Sequence, residues 1–272
     1  MKLVAISGPS ALQAMMARQA AAALLCGLFL CLAAAGAQDL RRATVWDLKI
    51  GRPIGAQPSP EEFRGFACGS NGGPPHQQLS GWSDFSRCRA EASGLHEVYF
   101  EYDDEYEYIA RAQDLPGEVS RWAGTTEAGF PVIVSTLFDD GGTLRGIRIV
   151  TDPRPEYRND IIEADLKKRD HAYLFGAFMA SRYGLAAARD CTSQPAAAGE
   201  SAIGSLFVKQ SCERTDPARG VKISVRANYF RKPGQSGVNP QLPSQLTQGQ
   251  FESSARLEIQ DAGNQGSDSK HQ

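Results

Sequence analysis

The alternation of apolar and polar positions predicts several β-strands along the chain. Leu95–Tyr102 alternates with a period of two, which predicts a half-exposed strand of an antiparallel sheet. Its apolar face consists of Val98, Phe100 and Tyr102, and its other face of Glu97, Tyr99 and Glu101. Phe130–Phe138 and Leu144–Val150 flank a turn sequence of two aspartates and two glycines, an arrangement that predicts a β-hairpin.

Four other segments have the composition of strands. Ala43–Ile50 is expected to direct its apolar residues inward: Val45, Trp46, Leu48 and Ile50. The other three lie near the C-terminus: Ser205–Ser211, Val221–Phe230 and Gln250–Gln260. Residues 192–202 have the composition of a flexible connector, and the long loop 232–249 is expected to join the last two strands as a hairpin.

Two segments predict helices. Asp160–Tyr183 carries apolar residues at approximately helical spacing, and Asp160 with Glu163 resembles a capping box at its start. Gly184 suits the position just past the helix C-terminus. A shorter helix is predicted to begin at residue 103 or 104 and to end at 112.

This order of elements predicts an α+β fold. We expect antiparallel sheet built from hairpins, with the long helix packed across a sheet face and disulfides tying the loops, in preference to a doubly wound α/β fold. The domain is expected to span residues 38–260, with a boundary near 185–200 as the alternative to a single unit. The polar tail, 261–272, is predicted to be disordered.

The N-terminus has the three parts of a secretory signal peptide. Arg18 precedes an uncharged apolar run over residues 20–37, and Ala35-Gly36-Ala37 forms a cleavage site of small residues. Residues 1–37 are therefore predicted to be removed on export. An uncleaved membrane anchor is the alternative, and Met15 or Met16 is an alternative translation start.

Cysteine usage agrees with an exported, periplasmic or secreted protein. Two of the six cysteines lie in the leader, which leaves Cys68, Cys88, Cys191 and Cys212. An even number of cysteines in an exported chain predicts disulfides, and four cysteines permit three pairings. Pairing by proximity joins Cys68 to Cys88 and Cys191 to Cys212. A metal site is the alternative, although no C-x-x-C spacing is present.

Charge and motifs narrow the classes of function. The 272-residue chain has 29 basic and 31 acidic residues, and the leader contributes two of the basic ones, so the mature chain is net acidic. This balance disfavours a nucleic-acid binder that neutralises phosphates. The acidic run from Glu101 to Glu107 offers calcium-type ligands, but a solvated junction explains it as well, and we predict neither metal nor cofactor.

The loop after Cys68 contains the candidate functional residues. His76 is a candidate catalytic base, although no G-x-S-x-G nucleophile motif accompanies it. Asn71, His76, Trp82 and Phe85 are candidate binding residues in this loop. The aromatic rings form either an exposed contact surface or a small core packed over the disulfide.

Without a coherent catalytic motif, we predict an exported soluble protein that acts as a non-catalytic interaction, assembly or binding module. A protein partner in the exported compartment is expected, whereas nucleic acid and a stable membrane span after signal cleavage are not. The first alternative is an exported hydrolase whose site is assembled from scattered residues. The second is a small-ligand binder with its pocket between the sheet and the long helix.

Overall fold

An antiparallel sheet dominates the structure. The computed structural model describes residues 43–102, 113–115, 125–152, 171–234 and 251–264. The described strands are β1 Arg64–Cys68, β2 His96–Glu101, β3 Thr126–Glu127, β4 Phe130–Phe138, β5 Leu144–Thr151, β6 Cys191–Ser193, β7 Val208–Asp216, β8 Val221–Phe230 and β9 Glu252–Asp261. The described α-helices are α1 Tyr173–Arg182 and α2 Ala187–Asp190.

The strands form one continuous sheet in the order β1-β2-β4-β5-β9-β8-β7-β6, and β3 pairs with the start of β4. Each neighbouring pair is antiparallel. The α+β class is therefore right at this coarse level, although the sheet contributes far more than the helices. The pairing of β5 with β9 joins strands from either side of residues 185–200.

The predicted hairpin is confirmed as β4 and β5. The carbonyl of Asp139 accepts a hydrogen bond from the N–H of Gly142 over 2.9 Å, and its carboxylate accepts one from the N–H of Thr143 over 2.9 Å. Gly142 has a φ of +73°, a conformation that glycine adopts without a steric cost. Side-chain and backbone hydrogen bonds of Asp139 therefore hold the turn that sets the register of the two central strands.

The prediction of a half-exposed β2 is wrong in one respect. Its residues alternate between the two sheet faces as expected, but both faces are covered: Glu97 is 2% exposed and Tyr99 is 6% exposed. The polar side of β2 is buried because the chain between β1 and β2 folds back over it. The backbone N–H of Gly69, just after β1, donates to the carbonyl of Glu97 over 3.0 Å.

Ala43–Ile50 is not the predicted strand. Val45–Asp47 forms a 3₁₀ turn, because the Thr44 hydroxyl accepts from the N–H of Trp46 and the Asp47 carboxylate accepts from the N–H of Thr44. These local hydrogen bonds satisfy backbone groups that a strand would need to pair with a neighbour. Val45 and Leu48 are still buried, three residues apart on one side of the turn.

The C-terminal strands differ from prediction at their boundaries. The strand predicted to end at Ser211 runs over Val208–Asp216, and β9 continues to Asp261, where the tail was predicted to begin. The predicted connector 192–202 contains the end of β6, because Cys191 pairs directly with Cys212 on β7. The antiparallel pairing of β8 with β9 confirms the predicted hairpin partners.

Two disulfides are present, and both follow the pairing by proximity. Cys68 bonds to Cys88 and Cys191 bonds to Cys212, at sequence separations of 20 and 21. The first ties the end of β1 to the segment before β2. The second ties β6, the edge strand, to β7.

Helix α1 packs across the sheet, as predicted for the part of the long helix that is described. Phe175, Gly176 and Met179 are buried against β8 and β9. Gly184, with a φ of +63°, follows the helix as expected. The predicted leader, the helix over 103–112, residues 160–170 of the long helix, most of the loop 232–249 and the tail from 265 lie outside the described residues.

Gly176 allows α1 to approach the sheet closely. A Cβ at this position would lie 2.8 Å from the Cβ of Ala227 and 3.3 Å from that of Ala255. We therefore expect Gly176→Leu to lower the free energy of unfolding by about 1–3 kcal/mol through overpacking. Denaturant unfolding measures the change. Ala177→Leu, on the exposed side of the same turn, is the control, and an equal effect of both substitutions would contradict the close-packing argument.

Candidate binding face

The two faces of the sheet differ in chemistry. Directly paired residues of antiparallel strands point to the same face. The face under α1 carries apolar pairs such as Ala227 with Ala255, both buried. The opposite face, called the polar face below, carries pairs such as Arg148 with Glu258. Polar chemistry is therefore concentrated on the face that α1 does not cover.

Arg148, on β5, is the centre of an ion cluster on the polar face. Its side chain is 5% exposed and lies 2.6 Å from Glu91, 3.0 Å from Glu97 and 2.7 Å from Glu258, measured between nitrogen and carboxylate oxygen. Arg256 adds a second guanidinium 2.6 Å from Glu258. These five residues, two arginines and three glutamates, are the ion cluster.

The ion cluster fixes the loop that covers this part of the polar face. The backbone N–H groups of Asn71 and Gly72 donate to the carboxylate of Glu97, the latter over 3.2 Å. Arg256 donates to the backbone carbonyl of Asn71 over 3.0 Å and to its side-chain oxygen over 2.7 Å. A Cβ on Gly72 would lie 2.5 Å from a methyl of Val150, so glycine allows the loop to lie this close to β5.

The charges of the ion cluster stabilise one another. Burial disfavours the ionised form of Glu91, but the hydrogen bonds and charge of Arg148 outweigh it and lower the pKa of Glu91. The pKa of Glu258 is also lowered, because the two arginines outweigh its burial. Burial opposes the charge of Arg148, yet its carboxylate partners raise the pKa of its guanidinium. The removal of one partner would therefore leave buried charge without compensation.

Over β6, β7 and β8 the polar face is open and forms a cleft of about 340 Å³. The cleft is lined by Gln194, Lys209, Gln210, Ser211, Arg226 and Asn228. Ser211 pairs with Arg226 and Lys209 pairs with Asn228, which places these four side chains on the same face. The backbone N–H of Gln194 donates to the carbonyl of Lys209 over 2.7 Å, so the chain just after β6 forms one wall.

The two cations of the cleft differ in their partners. The ammonium nitrogen of Lys209 lies 3.0 Å from both carboxylate oxygens of Glu200, so its charge is compensated. Arg226 is exposed and has no ion pair among the described residues. Its directly paired neighbour on β9 is Arg256, whose guanidinium already binds Glu258. The charge of Arg226 is thus uncompensated within the described structure.

Three of the four predicted binding residues lie outside the cleft and the ion cluster. His76 is exposed, and its ring has no polar partner among the described residues. Trp82 is 2% exposed and Phe85 is half-buried, and both pack with the core beside Cys68 and Cys88, which was the alternative stated for them. Their binding role and the catalytic role of His76 stay predictions. Asn71, the fourth, contacts the ion cluster as described above.

The cleft residues were not singled out from the sequence, although a signal for them exists. Val221–Phe230 alternates strictly, so its polar positions lie on one face: Lys222, Ser224, Arg226 and Asn228. The cleft also lies opposite α1, rather than between the sheet and the long helix as expected for a ligand pocket.

His96, at the start of β2, is a further ionisable group held by hydrogen bonds. Its Nε2 lies 2.9 Å from a carboxylate oxygen of Asp140, and its Nδ1 lies 2.6 Å from the carbonyl oxygen of Cys88. Two acceptors require both ring nitrogens to donate, which is the protonated form. Burial lowers the pKa of His96, but these hydrogen bonds and the charge of Asp140 raise it overall.

Within the described residues, no group of three or more histidine, cysteine, aspartate or glutamate side chains is arranged to hold a metal ion. The part of the acidic run from residue 103 onward lies outside those residues. No described helix is long and apolar enough to cross a membrane.

Arg148→Met tests the role of the ion cluster. Because Glu91 and Glu97 would lose their buried counter-charge, and Glu258 one of its two arginines, we expect the free energy of unfolding at pH 7 to fall by about 3–5 kcal/mol. The lowered pKa values of Glu91 and Glu258 stabilise the fold above the unfolded-state pKa of a glutamate, about 4.3, and this contribution is lost as the pH falls through the lowered values. The deficit of the variant should therefore shrink as the pH falls below about 4.3, as followed by denaturant unfolding.

Arg145→Met is the matched control for this experiment. Arg145 also lies on β5 and binds two carboxylates, Asp139 and Asp261, each at 2.7 Å, but its side chain is 30% exposed. We expect Arg145→Met to lower the free energy of unfolding by about 1 kcal/mol or less. Equal losses for the two variants, or a loss for Arg148→Met that does not depend on pH, would refute the assigned role.

Asp140→Asn tests the charge on His96. Loss of the carboxylate should lower the pKa of His96, measured by NMR titration of its ring carbons. Since the folded-state pKa is raised, the hydrogen bonds stabilise the fold below the unfolded-state pKa of about 6.5, and this contribution is lost as the pH rises through the folded-state value. Asp216→Asn, in the β7–β8 turn, has the same charge change as a control. The explanation fails if both variants leave the His96 titration as in the wild type.

Comparison of the chain with protein-family models, with curated proteins and with solved structures finds no match. Its function is therefore inferred from the ion cluster and the cleft themselves.

Proposed function

We propose that the chain is an exported, non-catalytic binding module whose binding surface is the cleft on the polar face. The observation that carries this proposal is the cleft itself, which is lined entirely by polar residues. Ligand sites are concave, with volumes of about 300–1,000 Å³, and a few polar groups fix the ligand among side chains that are mostly apolar. The polar lining of this cleft departs from that pattern and therefore favours a polar ligand over an apolar one. A cleft of about 340 Å³ is at the small end of this range and suits a small polar ligand.

Export is supported by two independent features. The first 37 residues have the pattern of a cleavable secretory leader. The two disulfides are compatible with an oxidising, extracellular compartment. In the chain-entropy model, a disulfide that closes a loop of this length stabilises the folded state by about 3 kcal/mol. This stabilisation is present only while the disulfide is intact.

The chemistry of the lining favours binding over catalysis. General acid–base catalysis needs a side chain whose pKa lies near the working pH, and no histidine or carboxylate lines the cleft. Ser211 supplies the hydroxyl group of the cleft. Lys209 supplies an amine, but its ammonium group is bound by Glu200. Amide, hydroxyl and guanidinium groups bind a polar ligand without any proton transfer.

Ser211→Trp tests the site, because an indole ring at this half-buried position would fill the cleft. We expect a panel of monosaccharides, amino acids and inorganic anions, added to isotope-labelled secreted protein, to contain a member that shifts the NMR signals of β6, β7 and β8. In Ser211→Trp these shifts should be lost, with an affinity at least tenfold lower. Thr215→Trp, two pairs along the same face of β7 and outside the lining, should bind as the wild type does.

Other outcomes point to the alternatives. Hydrolysis of an ester, peptide or glycoside in a separate substrate screen, abolished by His76→Ala in a folded protein, would replace the proposal by the hydrolase. Shifts that persist in Ser211→Trp, or a panel without any shift on these strands, would refute the cleft as the binding site. A stoichiometric protein partner that cross-links to another surface would favour the interaction module.

A further inference from the structure

We propose that the ligand of the cleft carries an anionic oxygen group, a carboxylate or a phosphate, which Arg226 binds. This inference rests on the proposed function and adds the chemical class of the ligand. The remainder of the ligand is a hydroxylated body small enough for the cleft.

Arg226 lies beside another arginine and has no counter-charge of its own among the described residues. Directly opposed like charges on paired strands are unfavourable, and Arg226 is opposite Arg256. Arg256 is compensated by Glu258 at 2.6 Å, whereas Arg226 has no carboxylate partner among the described residues. A bound anion would supply the counter-charge that Arg226 lacks in the described part of the chain.

Glu200, the carboxylate that binds the other cation of the cleft, does not compete for Arg226. Glu200 is bound by both of its carboxylate oxygens to the ammonium of Lys209, each at 3.0 Å. Its negative charge is therefore already compensated by Lys209. Arg226 remains as the cation that an incoming anion meets without first breaking an ion pair.

The shape of the arginine side chain specifies the group it binds. A guanidinium presents parallel N–H donors in a planar fork, which matches the paired oxygens of a carboxylate or a phosphate. Arg226 lines the cleft and is exposed, so its donors are accessible. A neutral ligand would leave this charge without a partner.

The neutral residues of the lining suit a hydroxylated body beside the anionic group. The side-chain nitrogen of Asn228 donates to the hydroxyl of Ser254 over 3.3 Å, and that hydroxyl donates to Glu252 over 2.6 Å. These hydrogen bonds hold the amide nitrogen of Asn228, and the residue lines the cleft. Ser211 and Gln194 add groups that both donate and accept.

Three probes of the same ring test the inference: glucose, glucuronate and glucose 6-phosphate. Binding to the secreted, disulfide-bonded protein is measured by titration calorimetry at constant ionic strength, with NMR for weak binding. We expect at least one anionic probe to bind about tenfold or more tightly than glucose, because a charge-assisted hydrogen bond is worth about 1.5–3 kcal/mol. Whichever anionic probe binds more tightly identifies carboxylate or phosphate as the preferred group.

Arg226→Gln should reduce binding of the anionic probe about tenfold or more, to the level of glucose. Arg219→Gln is the control, since it removes the same charge from the β7–β8 turn, where Arg219 pairs with Asp216 at 3.6 Å. It should change affinity by less than about twofold. A loss shared by both variants would show non-specific attraction and overturn the inference.

Failure of this inference is separable from failure of the proposed function. If glucose binds as tightly as the anionic probes, and Ser211→Trp abolishes that binding, the cleft is a site but the anionic class is wrong. If Arg226→Gln binds the anionic probes as tightly as the wild type, the class is also wrong. If none of the three probes binds, the inference is overturned. The comparison of the wild type with Ser211→Trp over the wider panel then tests independently whether the cleft is a binding site.

Discussion

The burial of Arg148 on β5 determines how the polar face is organised. A guanidinium removed from water is tolerated only where carboxylates and hydrogen bonds replace its hydration. The sheet supplies Glu97 and Glu258 from β2 and β9, and the segment before β2 supplies Glu91. Since Glu97 also accepts hydrogen bonds from the backbone of Asn71 and Gly72, the same ions that compensate Arg148 hold the covering loop in place.

This constraint divides one sheet into two functional halves. The apolar face is continuous, and its buried core supports all the central strands. On the polar face, the half around β2, β4 and β5 is closed by the ion cluster, whereas the half around β7 and β8 is accessible. The boundary between them is Arg256, which binds the covering loop on one side and is opposite Arg226 on the other. The closed half would support the proposed binding site on the open half, because side chains on paired strands hold their positions better than side chains on loops.

The parts of the fold that were predicted correctly are those that a local pattern specifies. The β4–β5 hairpin has a β-rich first strand, an alternating second strand and a clear turn, and β8 alternates over most of its length; both lie within a residue or two of their predicted bounds. Ala43–Ile50 has enough alternation for a strand, but the side chains of Thr44 and Asp47 bind their own backbone and stabilise a turn instead. A three-residue strand such as β6 is too short for alternating apolar and polar positions to be recognised in the sequence.

The sites could not be predicted from local pattern, because they depend on register. Arg148 and Glu258 are 110 residues apart in sequence and meet because β5 pairs with β9. The cleft combines residues that follow β6 with residues of β7 and β8, so its lining exists only once these strands are aligned. For Trp82 the sequence left exposure and packing over the disulfide open, and the ring is buried against Phe100 and Phe138, where a side chain of this size contributes most.

The disulfide between Cys191 and Cys212 has a consequence for the cleft. Strand β6 is three residues long and lies at the edge of the sheet, where so short a segment holds its place poorly by hydrogen bonds alone. The bond to β7 keeps it there, and Gln194, which begins the cleft wall, follows directly after it. We expect reduction of this single bond to loosen the wall of the cleft that follows β6, because this strand has only three paired residues to hold it. The shape of the cleft would then depend on the thiol–disulfide balance of the surroundings.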